Sequence, residues 1–160
     1  LHLFVLALSQ PCFVNTDLIL QLDPSRITAF GGSAGAITVA QLLYSSAATG
    51  GNISCGVALS GTLINHSVAT HEVAASAASP PYIDFHGSAD PLVPFKNATF
   101  THEFLDSQGA RNFLSTIPGA GHVPFSALYR PPFQGQLWGF LRQSLDLDNI
   151  PCLKAKTDDR

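Results

Sequence analysis

The sequence predicts an α/β fold: a three-layer α/β/α arrangement around a mainly parallel sheet. Two observations carry this. Short apolar runs bounded by turn residues alternate with stretches at helical spacing, in the order strand, helix, strand, connection, strand, helix, strand, helix. Such alternation implies parallel strands with right-handed crossovers, because a chain rejoins its sheet in the same direction only by crossing one face. Second, Cys55–Leu59 (C-G-V-A-L) has no polar face at all, the pattern of a strand covered on both sides. The chain of 160 residues has a one-domain length and can bury a sizeable core.

The elements follow in order. Leu1–Leu8 (L-H-L-F-V-L-A-L) is too short for a membrane-spanning helix. It fits the apolar part of a signal peptide, a strand, or the buried end of an upstream domain. Asp17–Leu22 reads as the last turns of a helix stopped by Asp23-Pro24, since proline disfavours helical geometry in the residue before it. Ser25-Arg26 turns into a strand at Ile27. Ala34–Ala48 is apolar or small nearly all round and reads as a buried helix ended by Gly50-Gly51. Gly61–Pro81, rich in Ala and Ser, fits a short helix or an open loop. Tyr82–Phe85 is the next strand. Phe95, Phe100, Phe104 and Leu105 mark one face of a helix that Gly109 terminates. Asn112–Ile117 is the last strand. Phe133, Leu137, Phe140, Leu141 and Leu145 mark an amphipathic last helix, with Gln134, Gln136, Arg142 and Gln143 outward. Residues 1–22 therefore stand as an N-terminal segment, either signal-like or a remnant of an upstream domain. Residues 23–150 form the α/β unit, and 151–160 a polar tail.

Composition removes some function classes. A net charge of −3, with eight Lys and Arg spread thinly, supplies no basic patch for nucleic acid. Cys12, Cys55 and Cys152 lack metal-ligand spacing, and no metal or cofactor is expected. An odd count leaves one thiol unpaired or paired outside the chain. Cys55 reads as a small buried apolar residue. The sequons at Asn52, Asn65 and Asn97 lie at expected loops or a helix start and lean towards a secreted, extracellular setting. There is no methionine, which leads us to expect a piece of a longer product.

The chemistry centres on Ile27–Gly35, I-T-A-F-G-G-S-A-G. This is G-x-S-x-G with a strand before it and a helix after it. A strand that reverses into a helix so abruptly strains the serine backbone and leaves no room for side chains at Gly31 and Gly35. The strain exposes the Ser33 hydroxyl and sets the Ala34 N–H where an oxyanion can be received. Two further candidates follow later strands: Asp90 after Tyr82–Phe85, and His122 after Asn112–Ile117. In open parallel sheets chemistry gathers beyond the carboxyl ends of the strands. Serine is a weak nucleophile until a neutral imidazole takes its proton, and a carboxylate on the other ring nitrogen fixes the tautomer. Singly, each has a plainer reading: Asp90-Pro91 starts a turn, and a loop histidine is often mere surface. Together, in the order Ser, Asp, His, they form a catalytic set. His86 suits a structural, hydrogen-bonded role, and Asp84, inside a strand, is expected to be paired or partly exposed. His2, His66, His71 and His102 are expected to face solvent. Phe95, Phe125 and Tyr129 read first as core packing and second as apolar walls of a site.

The stretch from Asp23-Pro24-Ser25-Arg26-Ile27 through Gly31-Gly32-Ser33-Ala34-Gly35 to Ala58-Leu59-Ser60-Gly61 resembles the nucleophile region of carboxylesterases and lipases of the α/β-hydrolase family. Pro80–Pro94 is similar to the acid loop of the family's smaller esterases, and Pro118-Gly119-Ala120-Gly121-His122 to its histidine loop. The resemblance covers about Leu22–Leu145. It implies Ser33 as nucleophile, Asp90 as acid, His122 as base, and the Ala34 N–H as oxyanion donor. It implies a small-molecule ester substrate. It also implies that the strands are the fifth to eighth of an eight-stranded sheet. The family's first half, with the loop that supplies the other oxyanion donor, does not occur in this sequence. A truncated domain is therefore expected, with one side of the Ile27 strand unpaired. Two alternatives stand beside the esterase: a serine peptidase of the prolyl-oligopeptidase type, and a non-catalytic product.

Overall fold

A computed structural model describes residues 2–11, 20–45, 53–63 and 73–149. Five strands form one sheet: β1 (His2–Pro11), β2 (Leu20–Gly32), β3 (Ile53–Leu59), β4 (Tyr82–Gly87) and β5 (Asn112–Ile117), in that spatial order. β2 to β5 run parallel, and β1 lies antiparallel along β2. The helices are α1 (Ala34–Tyr44), α2 (Phe95–Ser107) and α3 (Phe133–Ser144).

Alternation along the strands divides the core in two, as a pleated sheet requires. On one face Ala29, Ala58 and Tyr82 pack with Ala36, Val39, Ala40 and Leu43 of α1 and Leu105 of α2. On the other, Val57, Leu59, Ile83, Phe85 and Ile117 pack with Phe140 of α3 and with Leu128 and Leu145. The three-layer α/β architecture is thus the one expected. The parallel register sets Gly32 beside Leu59 and Leu59 beside Phe85, so the strand ends open onto a common rim.

Several expectations are corrected. Residues 20–22 are strand, not helix: they belong to β2, which runs through the expected segment boundary at residue 22. Asp23-Pro24-Ser25-Arg26 interrupts the pairing instead. Ala7 pairs with Ile27 and Ser9 with Leu22, so four residues of β2 oppose one of β1. The Asp23 carboxylate accepts the Ser25 N–H at 2.9 Å within this bulge. β1 fills the side of β2 that was expected to be unpaired. The strand option for Leu1–Leu8 is the one realised by the described residues 2–8.

α1 stops at Tyr44, short of Ala48, where Ser45 leaves helical geometry and bridges to Val73. It is buried on one side only, with Gln41 and Leu42 exposed. The described parts of the connection after β3, residues 61–63 and 73–81, contain no helix. The buried stripe of α2 is Ala98, Thr101, His102 and Leu105, and Phe100 faces out. Positions 98, 101, 102 and 105 share one face at helical period, and 100 is rotated away from it. Gly109, at φ 71°, ends α2 as expected, and the Ala110 N–H returns to the Leu105 carbonyl at 3.0 Å. His102 is buried, not solvent-facing: its Nδ1 bonds Asn112 Oδ1 and its ring stacks on Tyr82. α3 follows the expected pattern. Cys55 is buried as expected and is a free thiol, pushed up to about 11 by burial. Cys12, Cys152, Asn52, Asn65, His66, His71, Gly50-Gly51 and the 151–160 tail lie outside the described residues.

Candidate active site

The turn from β2 into α1 places Ser33 at φ 55° and ψ −122°. Such a backbone costs a non-glycine residue roughly 1–3 kcal/mol. Two bonds over-determine it: the Ser33 N–H donates to the Leu59 carbonyl at 2.9 Å, and the Ser33 carbonyl accepts the Ile37 N–H at 3.1 Å. A Cβ on Gly31 would collide with the Gly35 carbonyl group and lie 2.8 Å from the Ala36 nitrogen. The two glycines are therefore where β2 and α1 touch backbone to backbone. Ala34 opens α1, where the first N–H groups have no partner within the helix.

Asp90 lies in the loop after β4 and His122 in the loop after β5. The loops are laced together: the Ser88 N–H donates to Ile117 O (3.1 Å), the Ala89 N–H to Ala120 O (3.0 Å), and the Gly119 N–H to Ser88 Oγ (2.8 Å). At Gly87 any Cβ would strike the Ala120 and Gly121 carbonyls, which lets the loops meet this closely. The result joins three residues 32 and 89 positions apart. His122 Nδ1 is 2.9 Å from Asp90 Oδ2 and 3.1 Å from Oδ1, and His122 Nε2 is 2.7 Å from Ser33 Oγ. With Nδ1–H donating to the carboxylate, Nε2 is free to accept the serine proton.

The Asp90 side chain is inaccessible to solvent. Burial alone would raise its pKa. Bonds from His122, the Val93 N–H, Ser60 and the Leu92 N–H outweigh that and hold it at about 2. Ser60, at φ 56°, enters the sequence only as part of the Ala58–Gly61 motif. Its Oγ accepts the Val123 N–H at 3.0 Å and also bonds Asp90, so one hydroxyl ties the acid to the histidine loop. A serine after an apolar strand carries no signal of such a role, because the role depends on two distant loops.

His86 and Asp84 are fully buried and paired, Nδ1 to Oδ2 at 2.9 Å. This agrees with the structural role expected for His86. Phe95 packs edge-on against His86, with ring centroids 5.8 Å apart. Phe125 and Tyr129 are not core: they are 45% and 67% exposed and form an edge-to-face series with Phe30. Asn97 sits at the start of α2, as expected. Among the described residues no group of three or more His, Cys, Asp or Glu side chains is arranged to hold a metal ion. No helix among them is long and apolar enough to cross a membrane.

No curated protein sequence matches the chain. Among solved structures, it is similar to SOBER1 of Arabidopsis thaliana (22% identity, TM-score 0.56, covering 77% of this chain and 55% of that one). It is similar to esterase 2 of Thermogutta terrifontis, solved phosphonylated by cyclosarin (24% identity, TM-score 0.56, 80% and 54%). A truncated carbohydrate esterase from gut microbiota also matches (15% identity, TM-score 0.58, 73% and 59%). The chain thus spans little more than half the length of these structures, and the likeness establishes the α/β-hydrolase fold. Residues 9–127 match the family model described as phospholipase/carboxylesterase. The chain belongs to the phospholipase/carboxylesterase family of α/β-hydrolases.

Proposed function

We propose that the chain carries the catalytic set of a serine hydrolase of carboxylic esters, with Ser33 as nucleophile, His122 as base and Asp90 as acid. One observation supports this above the others: the unbroken series Ser33 Oγ, His122 Nε2, His122 Nδ1, Asp90. Ser33 Oγ attacks the ester carbonyl carbon as its proton passes to His122 Nε2. The Ala34 N–H, first in α1, receives the negative charge that develops on the carbonyl oxygen. Imidazolium at His122 is stabilised by Asp90, then protonates the departing alcohol. Water, deprotonated by the same imidazole, releases the acid and restores Ser33. Each proton taken is returned, so the cycle needs no metal or redox partner.

The family resemblance implies a second oxyanion donor, and no described residue is assigned that part here. Loss of one donor typically lowers turnover about 100- to 1000-fold. We therefore expect covalent capture by this chain to be easier to observe than turnover. The phosphonylation of the Thermogutta esterase supports an organophosphorus probe for the purpose. A fluorophosphonate should label the folded chain at Ser33, and Ser33→Ala should abolish the label. Equal labelling of both, or none with the fold shown intact by circular dichroism, overturns the reading.

A further inference from the structure

Behind Asp90 lies a second buried histidine–carboxylate pair that the proposed mechanism does not use. His86 projects from β4 to the α2 face of the sheet, fully buried. Its Nε2 is 2.9 Å from the Val93 carbonyl oxygen, which only accepts, so Nε2 carries hydrogen. Its Nδ1 is 2.9 Å from Asp84 Oδ2, and Asp84 Oδ1 accepts the Gly61 N–H at 3.1 Å. Both ring nitrogens therefore face acceptors, and a neutral imidazole has hydrogen for only one. From the same Nε2, Asp90 Oδ2 is 3.6 Å away. The Val93 peptide chain closes the arrangement, its carbonyl held by His86 and its N–H donating to Asp90 Oδ1 at 2.9 Å.

We propose that His86 is a positioning residue, a buried imidazolium held between Asp84 and Asp90 that offsets the charge of the Asp90 carboxylate and keeps it aimed at His122. This rests on the assignment of Ser33, His122 and Asp90 above. Without the cation, the charge of Asp90 would act on His122 unopposed from behind. The groups facing His86 are Asp84 on its own strand, Asp90 and Val93 on the following loop, and Phe95 and His102 on α2. His122 stands beyond Asp90. Burial works against a charge on His86, but the bond and charge of Asp84, the Val93 carbonyl and the Asp90 charge outweigh it and raise its pKa.

Two readouts test this. In wild-type protein at pH 8, nitrogen-15 spectra should show both ring nitrogens of His86 protonated. Spectra showing one bare nitrogen there overturn the proposal. Next, the rate of fluorophosphonate labelling at Ser33 is followed against pH for wild type and His86→Gln. Glutamine can still donate to the Val93 carbonyl but has no charge. With the cation gone, Asp90 draws a proton onto His122 more strongly. The acidic limb of the profile should rise by about one unit, or roughly ten-fold slower labelling below it. A merely structural role would lower the rate at all pH values and leave the limb in place, and that result overturns positioning. If His86→Gln does not fold, Asp84→Asn takes its place: loss of its carboxylate should remove the Nδ1 proton at pH 8, and retention of that proton overturns the proposal. Wild type that is not labelled at Ser33 overturns the catalytic assignment, and the positioning role with it. The nitrogen spectrum tests the charge independently of labelling.

Discussion

Asp90 carries an electrostatic load that can be read without any substrate. Its pKa is held at about 2 in the folded chain, against 3.8 ordinarily. A lowered carboxylate pKa contributes stability that is fully present above the unfolded value and lost as pH falls through the folded one. The contribution is about 2 kcal/mol at neutral pH, and it should disappear between about pH 4 and pH 2. Asp90→Asn is expected to be less stable than wild type at pH 7 by about that amount, with the gap closing over that window. Urea unfolding at a series of pH values measures it. His102 acts in the opposite sense to His86. Burial lowers its pKa, so it favours the fold above the ordinary histidine range and opposes it as pH falls.

At the scale of elements, the decisive contacts are between loops. The acid loop and the histidine loop meet over Gly87, where a side chain has no space against the Ala120 and Gly121 carbonyls. Gly87→Ala is expected to push the histidine loop off the acid loop. Overpacking of this kind costs about 1–3 kcal/mol, and misplacing His122 by about 1 Å costs roughly 100-fold in rate. The check is a labelling rate at Ser33 compared with the thermal midpoint: a large loss in the first should accompany a moderate loss in the second. Thr101 provides a similar tie on α2, its Oγ1 accepting the Leu63 N–H at 3.0 Å and so anchoring the segment after β3.

Over the described sheet, β1 is the strand that covers the free side of β2. It occupies the edge of β2 along both sides of the bulge at residues 23–26. An uncovered edge strand presents unpaired N–H and C=O groups and recruits other chains. Proline at Val5 and Ala7 should break this pairing. The expected result is concentration-dependent association of the chain, measured by light scattering, at positions remote from Ser33.

The parallel strands, the turn at Ser33 and the positions of the three candidate residues are legible in the sequence because each has a local cause. Apolar runs between turn residues make strands, Gly31 and Gly35 permit a backbone contact, and Ser33, Asp90 and His122 follow strand ends. What failed was non-local. Residues 20–22, within the helix expected before Asp23, are strand because β1 offers a hydrogen-bonding partner, which their own pattern does not reveal. His102 looked like a polar surface residue, yet it is buried because Tyr82 and Asn112 come from strands laid beneath α2. Ser60 and the Asp84–His86 pair likewise acquire their partners only when separate loops converge. The sequence alone determined which residue types stand at the strand ends. Only the tertiary structure decided which of them touch, because hydrogen-bond geometry between loops is set by the sheet register and by the backbone approaches that register allows.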